Sequence, residues 1–150
     1  MDKNLPDKWI RKAIKEAINN MSVYDTITQQ NVLIPCYSHR TTRDGNKNSY
    51  VLLTSQESNV LYENKCENDY YHTVILDCIT AYPSTGNTGT NTFVDNICDK
   101  ARELVNNLTL DSQSGLTIYR QNISFPNLPP VLTETSNTFR RGLRLELWIN

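Results

Sequence analysis

Apolar residues recur every three or four positions in two stretches of the chain and at alternate positions in several others. Trp9, Ile10, Ala13, Ile14, Ala17, Ile18 and Met21 share helical spacing and predict a first amphipathic helix. Pro6 suits its first turn, where a missing N–H costs nothing, and Asp7 suits the positive end of its dipole. Asn19-Asn20 ends it. Phe93, Val94, Ile97, Cys98, Ala101, Leu104, Val105 and Leu108 predict a second helix, with Thr92 as its cap and Asp95 completing an approximate capping box.

The remaining pattern is strand-like. Val23 to Ile27 predicts a short strand, and Asn31 to Tyr37 an extended piece in which Pro35 marks a sheet edge. Tyr50 to Gln56 follows a polar loop from Ser38 to Ser49. Glu57 to Tyr70, polar and acidic, reads as a second long loop or hairpin tip. Tyr71 to Tyr82 is nearly continuously apolar apart from Asp77, as a central strand covered on both faces would be. Leu116 to Phe125 predicts a strand whose alternation slips after Arg120, the mark of a bulge. Pro126 to Pro130 is a stiff connector, and Val131 to Thr135 a short strand. In the last stretch, Phe139 to Ile149, Leu143, Leu145, Leu147 and Ile149 alternate with Arg144, Glu146 and Trp148, so one face is buried and the other is not.

Runs of strands around two helices argue for an α+β fold, an antiparallel β-sheet packed on one face by two α-helices, with long loops. At 150 residues the chain is expected to form a single domain, 1–150. Leu76, Ile97, Leu104 and Leu145 are the expected contacts between the sheet and the second helix. The opposite sheet face, bearing Trp148, is left to water or to a partner.

Composition alters this picture in two ways. The 15 basic and 16 acidic residues nearly cancel, which argues against a generic nucleic-acid binder. The basic positions of the first helix, Lys8, Arg11, Lys12 and Lys15, then read as a solvated face before they read as a contact for a partner or DNA. The surface is instead rich in Asn, Thr, Ser and Tyr; AT-rich coding produces that bias, and so does a surface that docks on other proteins. The three Asn-x-Ser/Thr sequons at Asn20, Asn107 and Asn122 match chance. No apolar run has the length of a membrane helix, and the start, Met1-Asp2-Lys3-Asn4, has no signal-peptide pattern. Cys36, Cys66, Cys78 and Cys98 are therefore expected to be reduced and metal-free, with Cys78 and Cys98 in the core.

Catalytic patterns are weak. Cys36-x2-His39 and Cys66-x5-His72 could supply zinc ligands, but their spacing matches no common finger. Cys36 with His39 or His72 is the minimum nucleophile–base pair and lacks an evident orienting group. Glu63-x-Lys65 resembles the end of a restriction-type nuclease site without its upstream acid. There is no phosphate-binding Gly-rich loop and no nucleophile elbow. The expectation is a non-enzyme with no cofactor, metal or catalytic residue.

The layout resembles the tail-terminator or tail-completion proteins of tailed phages, small α+β subunits that form a ring at the head–tail junction. The features that carry the resemblance are an N-terminal helix leading into Ser22-Val23-Tyr24-Asp25, the segment Tyr50-Val51-Leu52-Leu53, a strand Thr73-Val74-Ile75-Leu76-Asp77 before the helix with Phe93, Ile97, Ala101 and Leu104, and the late strand from Arg141 to Leu147. The longer Glu57–Tyr70 segment and the Pro126–Pro130 connector depart from it and leave open a cap on a long tail or a neck ring on a short one. The resemblance implies a virion protein made in the host cytoplasm. It implies a six- or twelve-fold homo-oligomeric ring between portal, neck or tail proteins, with DNA passing through without sequence-specific contact. A small non-catalytic protein-binding module acting as a monomer or dimer is the alternative.

For a ring, the two loops are the candidate interface. The first carries Arg40, Arg43 and Lys47 against Asp44, a sum of +2; the second carries Glu57, Glu63, Glu67 and Asp69 against Lys65, a sum of −3. Opposite charges on one subunit could meet their complements on its neighbours. Exposed ion pairs contribute about 0.2–1 kcal/mol each, so Tyr62 and Trp148 are expected to add apolar burial.

Overall fold

The computed structural model describes residues 6–38, 49–63, 68–83, 91–126, 131–132 and 136–150. Helix α1 spans Pro6–Ile18 and ends where Asn20 takes a left-handed conformation, φ 59°, which Asn tolerates better than most residues. The Asn19 side chain then accepts the Cys36 N–H at 3.0 Å. Strands β1 (Met21–Asp25) and β2 (Gln30–Ile34) form a separate antiparallel ribbon. Asp25 closes its turn by accepting from the Ile27 N–H and the Thr28 hydroxyl.

Pro35 separates β2 from β3 (Cys36–Tyr37), which pairs in parallel with β4 (Ser49–Glu63). Strand β5 (Asn68–Pro83) follows, then helix α2 (Asn91–Val105), β6 (Ile118–Ser124), β7 (Val131–Leu132) and β8 (Ser136–Ile149). The main sheet has the order β3-β4-β5-β8-β6, with β7 beside β8. Apart from β3, its pairs are antiparallel.

Both helices cover the same face. On it lie Val51 and Leu53 of β4, Val74, Leu76 and Cys78 of β5, and Leu143, Leu145, Leu147 and Ile149 of β8, all buried with Ile10, Ile14 and Ile18 of α1 and Phe93, Val94, Ile97 and Ala101 of α2. This is the expected α+β arrangement. No helix among the described residues is long and apolar enough to cross a membrane.

Several details differ from the sequence pattern. The Glu57–Tyr70 segment is mostly strand: β4 runs to Glu63 and β5 begins at Asn68, so only residues 64–67 fall between them. Backbone pairing needs no apolar alternation, and polar side chains conceal it from a hydrophobicity pattern. Two irregularities, at Leu53/Ser55 and Val60/Tyr62, shift the alternation further. In β6 the irregularity falls between Ile118 and Arg120, just before the predicted place. Thr92 lies within the first turn of α2 rather than ahead of it.

Leu104 is the clearest correction. It is 36% exposed, while its neighbour Val105 is fully buried. The helical stripe passes through Ala101 and Val105, and Leu104 sits one position around from it. Ile97→Ala is expected to cost about 2–5 kcal/mol and Leu104→Ala less than about 1 kcal/mol, measured by urea denaturation.

Candidate functional site

The face of the main sheet turned away from the helices is built from the alternate residues of the same strands. Its rows follow from the pairing. Asn59, Tyr71, Trp148 and Arg120 form one row; Glu57, Thr73, Glu146 and Asn122 form the next; Ser55, Ile75, Arg144 and Ser124 form a third. No described helix packs on this face.

Polar contacts order its outer part. The Trp148 ring is tilted against Tyr71 with centroids 5.1 Å apart, and the Arg120 guanidinium lies over it at 4.6 Å. Tyr71 donates to Glu146 Oε1 at 2.8 Å, and Asn122 donates to Oε2 at 2.9 Å. Those two bonds, Asn122 first, hold the Glu146 carboxyl below its usual range, with Arg144 at 3.3 Å adding attraction. The result is a preformed aromatic and guanidinium surface, the residue types favoured at protein interfaces.

Further along the same face, Asp77 is 1% exposed and its Oδ2 accepts from Arg140 Nε and Nη2. Burial pushes the Asp77 carboxyl above its ordinary range although Arg140 opposes this. The Tyr37 and Tyr50 rings are tilted at 55° to each other with centroids 5.9 Å apart.

One edge of the sheet is open among the described residues. β3 pairs only with Val51 and Leu52, so the outer side of β4 from Leu53 onward has no strand beside it among the described residues. Val60 and Leu61 are exposed there.

Of the expected interface residues, Glu57 and Trp148 occupy adjacent rows of this one face. Glu57 is exposed and accepts from Asn59 at 3.4 Å; Trp148 is half-buried. Tyr62 and Glu63 are paired residues of β4, opposite Asp69 and Asn68. Arg40, Arg43, Lys47 and Glu67 lie outside the described residues, as do Asp44 and Lys65. Tyr71, Arg120 and Glu146 join Trp148 without having been singled out from the sequence. Strand alternation in Phe139–Ile149 assigned Glu146 to the outward face, but the partners of Trp148 depend on register between distant strands.

The chemistry considered from sequence separates in space. His39 and Cys66 lie outside the described residues. Cys36 stands level with Cys78 across Val51, far along β5 from His72, so Cys36 and His72 form no nucleophile–base pair. Burial pushes the Cys36 thiol up to about 11. His72 is fully buried, with Ser58 opposite on β4 and Leu147 on β8. Its Nδ1 lies 3.5 Å from Asp7 Oδ1, and burial lowers its pKa to about 4 despite that carboxylate. No group of three or more His, Cys, Asp or Glu side chains could hold a metal among the described residues. On α1, Arg11 is tied to Gln56 and Lys12 to Asp111, so two of its basic residues serve contacts within the chain.

No protein-family model matches the chain, and no curated protein is similar to it.

Proposed function

We propose that the protein is a non-catalytic structural subunit that closes into a homo-oligomeric ring at the head–tail junction of a tailed phage, joining the tail to the portal or neck. The observation that carries the assembly reading is the helix-free sheet face, with its ordered Tyr71–Trp148–Arg120 row, next to an open β4 edge. A subunit of this shape buries both features at once by a head-to-tail contact repeated by rotation. The placement at the junction rests on the resemblance of the element pattern to tail-terminator and tail-completion proteins. A six- or twelve-fold ring with DNA passing through the centre is the corresponding assembly.

The test is native mass spectrometry and negative-stain imaging of the full chain, followed by incorporation into particles. A closed ring supports the reading; a protein that remains monomeric at all concentrations and is absent from particles overturns it. Trp148→Ala is expected to weaken assembly while changing stability by less than about 2 kcal/mol, since the ring is only half-buried. Arg40→Glu combined with Arg43→Glu tests the charged loop separately, and normal assembly would remove that loop from the interface.

A second reading, a small protein-binding module, draws on a different surface. Tyr24, Ile27 and Leu33 of the β1–β2 ribbon are 51%, 58% and 62% exposed. A stable monomer or dimer that retains a partner through this ribbon would favour it.

A further inference from the structure

The two ends of the main sheet carry an inference that rests on the ring reading above and names the contact that closes it. Strand β4 is open on its outer side from Leu53 onward, and at its other end the sheet stops with β6. Among the described residues no strand lies beyond either. The short β7 pairs with β8 at Thr138 and Asn137, so it leaves β6 uncovered. A surface groove of about 360 Å³ runs between β6 and α2, lined by Arg102, Asn106, Gln121, Ile123 and Phe125, so there is room beside this strand. Both strands are held from behind. Gln56 donates to the Asp7 carbonyl of α1, and Gln121 donates to the Val105 carbonyl of α2.

The two edges match in direction, charge and apolar content. β4 is antiparallel to β5, β5 to β8 and β8 to β6, so β4 and β6 run in opposite directions. Rotation about an axis roughly along the strands preserves those directions. β6 of one subunit then meets β4 of the next in antiparallel fashion, with the helices on the same side of both. Residues 53–63 of β4 include Glu57 and Glu63 and no Lys or Arg, whereas β6 has Arg120 and no Asp or Glu. Neither stretch contains the Lys or Pro that commonly blunts a sheet edge. Val60 and Leu61 are exposed towards the end of β4, and Tyr119 is exposed at the start of β6. Antiparallel pairing brings these three together. Ser55, Glu57 and Asn59 share the helix-free face with Arg120, Asn122 and Ser124. With that alternation kept, Arg120 stands opposite Asn59 or Glu57 and reaches the Glu57 carboxylate in either register.

We infer that the ring closes by strand addition: β6 of each subunit pairs with the open edge of β4 on the next, and one continuous sheet passes around the assembly. Each subunit thereby covers both of its free edges. A two-fold contact of β4 with itself would leave β6 open and would bring no cation to Glu57.

The experiment uses the full chain carrying Ser55→Cys and Ser124→Cys. Both serines are exposed and belong to one row, at opposite edges of the sheet, three strand spacings or about 14 Å apart within a chain. Across the inferred junction they are opposite or diagonal neighbours. A bismaleimide too short for the gap within a chain is expected to give a ladder of covalent oligomers, from dimer up to the ring. The unaltered chain and each single variant are expected to give none. A ring seen by native mass spectrometry without the ladder overturns the strand addition and leaves the ring reading standing. A protein that gives no ladder and is monomeric at all concentrations overturns both. A covalent dimer from Ser55→Cys alone shows β4 pairing with itself and also overturns the inference.

Discussion

Replacing Arg140 with methionine is expected to remove about 3 kcal/mol of stability at neutral pH, more than an ordinary substitution of a partly exposed arginine. The reason is Asp77. Its carboxylate is 1% exposed, Oδ2 is held by Arg140, and Oδ1 has no hydrogen-bond partner among the described residues. Without the guanidinium an uncompensated charge remains inside the sheet face, or the carboxyl keeps a proton that it gives up when unfolded. The sign follows from the second case. The folded-state pKa of Asp77 is already raised by burial. The proton is therefore bound more tightly in the folded state, and Asp77 penalises folding as the pH rises through that raised pKa. Arg140→Met enlarges the penalty, so its defect should shrink as the medium is acidified towards the ordinary carboxylate range. Asp77→Asn in the same chain should restore much of the loss at neutral pH. Urea unfolding of the wild type, both single variants and the double variant measures the coupling. A double variant no more stable than Arg140→Met would show that the pair is not the source of the loss.

His72 is expected to produce the opposite dependence on pH. Its folded-state pKa is about 4, against about 6.5 for a histidine in the unfolded chain. Between those values the unfolded chain binds the extra proton and the folded chain does not. The contribution is thus fully present above about pH 6.5 and lost as the pH falls towards and through 4, a swing of about 3 kcal/mol. Asp7 at 3.5 Å favours the imidazolium and opposes the lowering that burial imposes. Among the described residues neither ring nitrogen of His72 has a hydrogen-bond partner, and Ser58 Oγ opposite is also without one. Substituting an apolar side chain of similar size removes a desolvated polar group and leaves little behind. His72→Leu should therefore be as stable as the wild type at neutral pH and more stable near pH 4. Denaturation midpoints across this range test it; parallel acid slopes for the two proteins would rule His72 out as the titrating group.

These two residues also show where sequence reading stops. Periodicity identified both helices because Ile10, Ile14 and Ile18, or Phe93, Ile97 and Ala101, are local patterns with a local cause. It identified the inward residues of β8 for the same reason. Asp77 was visible as an interruption, but its partner Arg140 is set by β5–β8 pairing between strands 63 residues apart at this pair. His72 was weighed as a ligand or base because its residue type suggests chemistry. Its burial beside Asp7 depends on where α1 docks. The polar hairpin extension failed as a strand prediction because its order comes from backbone hydrogen bonds rather than side-chain pattern. The surface around Trp148 was legible only as an outward face. Its aromatic and ionic partners come from four residues on three strands.

The sheet order has a consequence during synthesis. β4 and β5 form a local hairpin, but the other side of β5 is completed by β8, after α2, β6 and β7 have been made. Until then the nascent hairpin presents a long unpaired β5 edge with Val74, Leu76 and Cys78 uncovered. Such an edge invites pairing with another chain. Closing it requires contacts between distant parts of the sequence, which slows folding relative to a helical domain of the same size. The interval before β8 arrives is therefore the period in which neighbouring copies on one messenger are most exposed to wrong pairing, and in which a chaperone would have the most to shield.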